Sequence, residues 1–346
     1  MVKRLAIIAG PLLGGLISLL LVKLNADPSV AKMAFITVWM AVWWMTEAVE
    51  IGVTSLLPFI LLPALQLMKA EDVAREYMDQ NIFLFIGGFF LAYSMEKWNL
   101  HHRIAYRIIL ITGTSPMRIL IGIMLTAYLI SMWISNTATT LMLVGAVLAI
   151  IHHEELFEKH LHKNIAAAYL IALAYSATIG GMATIVGTPT NMIFIGYWEE
   201  QFPMENQISF LKWSSLGLPF SFLLLLAGFF ILKKMFGIHN KDTSNDKQFI
   251  RKKYQSLGKT SYEQKVVMTV FTLTALLWMT RGEIEIGSFH FSGWGKYIGQ
   301  GYFKDSTVAI LMSVLLFVIP SREKDRFLLH WEDVKKLPLH IILLFG

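Results

Sequence analysis

Long apolar runs separated by short polar segments dominate the chain. They lie at Leu5–Leu24, Met33–Thr46, Val53–Met68, Asn81–Met95, Ile119–Ile134, Ala138–Ile151, Ile165–Val186, Trp213–Leu232, Val266–Thr280 and Thr307–Pro320, and a last one opens at Leu337. A helix that crosses a bilayer needs about 20 mostly apolar residues, so the pattern predicts an all-α polytopic membrane protein. Several runs are short, and two are interrupted, one near Ser135 and one near Gly187. No small-x-small cleavage site follows Leu24 and further runs come at once, so Leu5–Leu24 reads as a first helix rather than a secretory leader.

Composition agrees. Of 346 residues 55% are hydrophobic and 16% charged, against roughly 45–50% and about 25% in soluble domains. The absence of cysteine excludes disulfides, zinc–cysteine sites, iron–sulfur clusters and thiol nucleophiles together. The formal charge of +6 gains meaning from its distribution. The loop from Lys233 to Lys265 is rich in lysine and arginine, the loop from Arg281 to Lys304 is poor in them, and Arg322 to Lys336 is basic again. The positive-inside rule makes the first and third cytoplasmic, and counting back places the N-terminus there too. Charge alone leaves open whether Ile119–Ile134 and Ala138–Ile151 form two full spans or one re-entrant hairpin.

A phrase recurs. Phe83-Leu84-Phe85-Ile86-Gly87-Gly88 follows a polar loop, and Leu343-Leu344-Phe345-Gly346 repeats its core after another. The crossings give the two copies opposite orientation, the plan of an inverted-repeat secondary transporter. On this reading the second repeat is truncated, and a longer protein is expected.

Two polar stretches carry the chemistry. Ser131-Met132-Trp133-Ile134-Ser135-Asn136-Thr137-Ala138-Thr139-Thr140 sits between two apolar segments of half length, and Gly180–Asn191 closes the Ile165 run with Gly187-Thr188-Pro189. Gly187 permits non-helical angles and Pro189 removes a backbone donor, so a broken helix is expected there. Irregular backbone at membrane depth is tolerated only against protein or a water-filled cavity. Freed carbonyls with Ser and Asn oxygens suit a hard monovalent cation, and N–H groups of a restarting helix suit an anion. The plainer alternative is that these residues are interhelical hydrogen-bond and close-packing groups.

Ser135-Asn136-Thr137, Gly187-Thr188-Pro189-Thr190-Asn191 and Trp39–Ala48, with Phe83–Ala92 and the closing Lys336–Gly346 segment, resemble the divalent anion:sodium symporter family over nearly the whole chain. The resemblance implies a transporter and not an enzyme. It implies a homodimer whose moving domain works like an elevator, and it selects the re-entrant hairpin. Carried over residue by residue, Ser131, Ser135, Asn136 and Gly187 would bind a sodium ion, the coupling ion. Asn136, Thr137 and Thr188 would meet a substrate carboxylate, with Pro189 shaping the break. Residues 1–112 would be scaffold helices, 113–212 part of the transport domain, and 213–346 further scaffold helices and the start of the second repeat. Glu50 and Thr190 stand where the family often has proline, and neither falls on an expected ligand.

The expected activity is sodium-coupled symport of dicarboxylates of the succinate, malate and fumarate class, with this chain holding the first half of the site. Sulfate or citrate symport within the family is the nearest alternative, and a membrane-embedded enzyme or a passive channel is more distant. Expected partners are a divalent anion, sodium ions, the bilayer and a second copy, with no nucleic acid. The expected location is a cell membrane, of bacterial inner-membrane type.

Other features read more plainly. His152–His162 fails the H-E-x-x-H pattern because position 157 is Phe, and reads as a solvated loop. Glu47 and Glu50 read as interfacial rather than as a proton relay. Trp39, Trp43 and Trp44 read as an interfacial belt or packing face. Lys97, Arg103 and Arg107 with Trp98 read as an amphipathic helix on the cytoplasmic surface.

Overall fold

The structure, a computed structural model, describes residues 2–113, 115–152, 162–205, 208–238, 246–286, 289–299, 302–323, 327–337 and 339–345. It forms two compact units, Met1–Phe83 with Lys336–Gly346, and Leu84–Lys335. Four of the described helical segments are long and apolar enough to cross a membrane: Lys3–Lys23, Pro28–Thr46, Asn164–Gly181 and Phe210–Phe236. The sequence and these helices describe a multi-pass membrane protein.

The first unit opens with α1 (Val2–Lys23) and α2 (Pro28–Thr46). Asp27 caps α2 by accepting the Ser29 N–H at 2.7 Å, and Pro28 occupies the first turn, where no donor is needed. Glycines let the two helices approach closely: a Cβ on Gly14 would stand 2.6 Å from the Phe35 carbonyl oxygen, and one on Gly10 would stand 2.7 Å from the Trp43 ring. Trp43 also donates to the Ile7 carbonyl at 3.2 Å. Trp39 and Trp43 are therefore packing groups. Glu47 ends α2 with φ 46° and pairs with Lys3 at 3.3 Å across exposed surface, away from any buried relay.

The apolar run at Val53–Met68 is two helices rather than one, α3 (Ile51–Ser55) and α4 (Leu57–Ala64). Pro58 has no N–H to return to the preceding turn, so the helix restarts at Leu57. The short α5 (Ala70–Glu76) follows, and the closing helix Leu339–Phe345 packs on α3, with Gly52 against His340.

In the second unit α6 (Gln80–Lys97), whose first turn belongs to the other unit, leads to α7 (Leu100–Thr112), α8 (Pro116–Ser131), α9 (Asn136–Ile151) and α10 (His162–Gly181). A 3-10 turn at Ile185–Gly187 precedes α11 (Pro189–Gln201), α12 (Phe210–Phe236), α13 (Asp246–Ser256) and α14 (Tyr262–Arg281). A two-stranded antiparallel ribbon follows, Ile284–Ile286 paired with Phe289–Phe291. This short ribbon lies in the Arg281–Lys304 loop, the one poor in lysine and arginine, and leaves the all-α architecture unchanged. The short α15 (Gly295–Ile298) and α16 (Asp305–Val318) complete the unit.

The core of this unit is α10 laid along α8. The two helices pack together, and Ile119, Leu120 and Ala127 of α8 and the small residues Ala168, Ala172 and Ala177 of α10 are all fully buried. Gly180 lies against the Tyr128 carbonyl, and Tyr169 donates to the Pro116 carbonyl at 2.8 Å. On α6, Gly87 admits Ala309 of α16, and Ser313 donates to the Gly87 carbonyl at 2.8 Å.

The reading of Arg103 as a surface cation does not hold. Its side chain is buried, with Nε donating to Gln264 Oε1 at 3.0 Å and Nη2 to the Leu257 and Gly258 carbonyls at 2.9 and 3.0 Å. Arg103 therefore ties α7 to the end of α13 and the start of α14, while Arg107 is exposed. Lys97 pairs with Asp333 at 2.7 Å. Burial works to raise the Asp333 pKa, but the hydrogen bonds from Lys97 and the His330 N–H hold the carboxyl below its ordinary value.

Candidate functional site

Two helices end and two begin within a few residues of one another in the second unit. After α8 ends at Ser131, Met132–Ile134 turn the chain and Ser135 caps α9, its Oγ accepting the Ala138 N–H at 3.3 Å. After α10 ends at Gly181 the chain runs through the 3-10 turn, and Thr188, in extended conformation, leads into α11 with Pro189 in the first turn. The break thus starts at Gly181, five residues before the apolar run ends at Val186.

Asn191 explains the early end. Its amide donates to the Gly181 carbonyl at 2.9 Å and to the Thr184 carbonyl at 2.8 Å. The Gly181 oxygen, at the end of α10, lacks a helical partner, and a buried carbonyl left unpaired is costly; the Thr184 oxygen also accepts the Gly187 N–H at 3.3 Å. The side chain from the first turn of α11 thereby closes the break.

Contacts between turn and break bring the two together. Ser131 Oγ donates to Asn136 Oδ1 at 2.8 Å, across the turn. Gly181 faces that same Oδ1 so closely that no Cβ would fit. A Cβ on Gly187 would stand 2.6 Å from the Gly181 carbonyl oxygen and 2.9 Å from that of Ser131. Thr184 donates through its hydroxyl to the Met132 carbonyl. The Gly181 and Ser131 carbonyl oxygens therefore lie against Gly187, and Asn136 Oδ1 lies against Ser131 and Gly181.

Helix polarity adds a second feature. The carbonyl ends of α8 and α10 carry partial negative charge, and the N-terminal ends of α9 and α11 carry partial positive charge. Oxygen-lined and N–H-lined surfaces thus lie side by side, suited to a cation and to an anionic group respectively.

Of the sequence-predicted residues, Ser131 is fully buried, Gly187 is buried and Asn136 half-buried, and these three meet. Ser135 caps α9 and lines a neighbouring cleft with Phe85, Phe89, Trp133, Val186 and Pro189. Thr137 is exposed and Thr188 half-buried, each at a helix start. The residues that the motif reading left without a role are Gly181, Thr184 and Asn191, all within the polar stretch, and Trp133. Their signal was position: Asn191 stands two residues past the helix-starting proline, where a side chain can reach back over the break.

Residues 153–161 of the histidine-rich loop lie outside the described residues. Among the described residues, no group of three His, Cys, Asp or Glu could hold a metal ion.

Residues 2–346 match the family described as the sodium:sulfate symporter transmembrane region. The chain belongs to the divalent anion:sodium symporter family. Among symporters of this family it is 39% identical over 353 aligned positions to the sodium-dependent dicarboxylate transporter SdcS of Staphylococcus saprophyticus, covering 99% of this chain and 66% of that protein. It is 40% identical over 319 positions to proteins of the same name from Staphylococcus aureus strains RF122 and MW2, covering 90% of this chain and 59% of each. The chain therefore spans somewhat less than two-thirds of the length of these relatives. The family and relatives bear the names of transporters, not of enzymes.

Proposed function

We propose that the protein performs sodium-coupled symport of dicarboxylates of the succinate, malate and fumarate class, and that this chain holds the first half of the site. The observation that carries the proposal is the cluster of oxygens where the turn meets the break, the Ser131 and Gly181 carbonyls against Gly187 and Asn136 Oδ1 against Ser131 and Gly181, beside two helix N-termini. The oxygens suit a sodium ion. The N–H-rich starts of α9 and α11, with Thr137 and Thr188 beside them, suit a carboxylate. The relatives' name, sodium-dependent dicarboxylate transporter, supports the choice of ion and substrate.

In this reading Ser131, Ser135, Asn136 and Gly187 hold sodium, Asn136, Thr137 and Thr188 meet the substrate, and Pro189 sets the break. Ser135 contributes through its backbone, since its hydroxyl caps α9. Each of α8 and α9 has 16 residues, about 24 Å at 1.5 Å per residue. That falls short of the roughly 30 Å hydrocarbon core, which supports a re-entrant hairpin over two spans. Residues 113–212 form part of a moving transport domain, flanked by scaffold helices in 1–112 and 213–346, with the start of an inverted repeat at the end. The motion is of elevator type in a homodimer. The N-terminus is cytoplasmic and the membrane a bacterial inner membrane.

The energetic case for sodium is simple. A dianion entering against an inside-negative potential costs about 4.6 kcal/mol per 100 mV, and each sodium ion offsets about 2.3 kcal/mol. Two ions make entry electroneutral.

Sulfate is the second reading, favoured by the description of the matching family, and citrate is a related one. Uptake of labelled succinate into liposomes holding the natural reading frame that contains this chain decides among them. Sodium-driven uptake that unlabelled fumarate suppresses and sulfate does not is expected. Suppression by sulfate alone would select the second reading.

A further inference from the structure

Asp305 is buried at the first turn of α16 and uses all three of its side-chain and backbone acceptor oxygens. Oδ1 accepts Arg281 Nε at 2.5 Å, Oδ2 accepts the Phe210 backbone N–H at 3.2 Å, and its carbonyl accepts Trp278 Nε1 at 2.9 Å. One residue therefore ties the start of α12 and the last turn of α14 to the start of α16.

The two rings so fixed hold a third. Phe210 and Trp278 lie with centroids 5.0 Å apart, and Trp133 stacks on both, 5.8 Å from Phe210 and 6.3 Å from Trp278. Phe271 closes the set edge-on to Trp133 at 5.0 Å. Trp133 is two residues from Ser131 and two from Ser135, at the middle of the turn that carries the candidate sodium ligands. Thr184 grips that turn at the Met132 carbonyl, and the ring stack grips it at the next residue.

A buried ion pair contributes little net stability, because desolvation offsets its attraction, and its use lies elsewhere. We infer that Asp305, paired with Arg281, is a positioning residue for sodium binding: it fixes Phe210 and Trp278, which hold Trp133 and through it the Ser131–Asn136 turn. The inference rests on the sodium reading above and adds residues far along the chain from the Ser-Asn-Thr motif.

A double-mutant cycle in the reconstituted reading frame tests it. Sodium half-saturation and maximal rate of uptake are measured for wild type, Asp305→Asn, Trp133→Ala and the double variant. Each stack of this kind is worth about 0.5–1.5 kcal/mol, so each single variant should raise sodium half-saturation about two- to tenfold. The double variant should be no worse than Trp133→Ala alone, because Asp305 acts through that ring. Trp278→Phe removes the donor to Asp305 but keeps a ring, and provides the same reading with a smaller rise should Asp305→Asn fail to fold. Sodium-dependent uptake with unchanged half-saturation in the folded variants, or effects that simply add, would overturn the inference while leaving the sodium reading intact. Wild-type uptake indifferent to sodium would overturn both.

Discussion

The Asn191 amide donates to the Gly181 carbonyl at 2.9 Å, joining the first turn of one helix to the last residue of another ten positions earlier. This bond and its partner to Thr184 make the break between α10 and α11 a built feature. Replacing Asn191 with Leu would leave the buried Gly181 carbonyl without its donor, at a cost of about 1–3 kcal/mol, and the Thr184 carbonyl with only the Gly187 N–H. A fall in melting temperature with loss of transport is expected, and unchanged thermal unfolding in detergent would count against the closing role.

Gly187→Ala tests the convergence of the turn and the break by volume. The added methyl would stand 2.6 Å from the Gly181 carbonyl oxygen and 2.9 Å from that of Ser131, so backbone must shift. Sodium half-saturation is expected to rise steeply with the protein still folded. Wild-type sodium dependence in this variant would place the ion elsewhere.

Arg103 binds three acceptors through two nitrogens, a fork that lysine cannot reproduce. Arg103→Lys should destabilise the second unit by about 1.5–3 kcal/mol. Limited proteolysis around Leu257–Gly258 should accelerate; an unaltered cleavage rate would contradict the clamp.

Acid stability carries a signature of His101. Burial, with the neighbouring His102 charge as the next cause, lowers its pKa from 6.5 to about 4. Its folded-state pKa lies below the unfolded one, so its neutral form contributes stability above pH 6.5 that is lost as pH falls towards about 4. His101→Gln should flatten the melting temperature across that interval, and a profile parallel to wild type would refute the assignment.

Much of this was legible in the residue pattern, because the site is local. Gly187 and Pro189 announce a break, and Ser-Asn-Thr between two half-length apolar segments announces a turn. The point where α10 stops was hidden, since it depends on a side chain reaching back from Asn191. Arg103 was misread for a related reason: an amphipathic face looks the same whether it meets headgroups or the end of another helix. Asp305 and Arg281 are 24 residues apart, and nothing along the sequence pairs them with Trp133. The split of α3 from α4 was visible in Pro58, but the run of apolar residues outweighed it.

The central claim is that Asn136 serves a sodium ion and a carboxylate at once. Its most direct test is succinate uptake by the reconstituted reading frame with and without an inward sodium gradient, in wild type and in Asn136→Ala. The account predicts uptake that the gradient drives and the substitution abolishes. Uptake that persists without sodium, or that survives loss of the Asn136 amide with its sodium dependence intact, would contradict it.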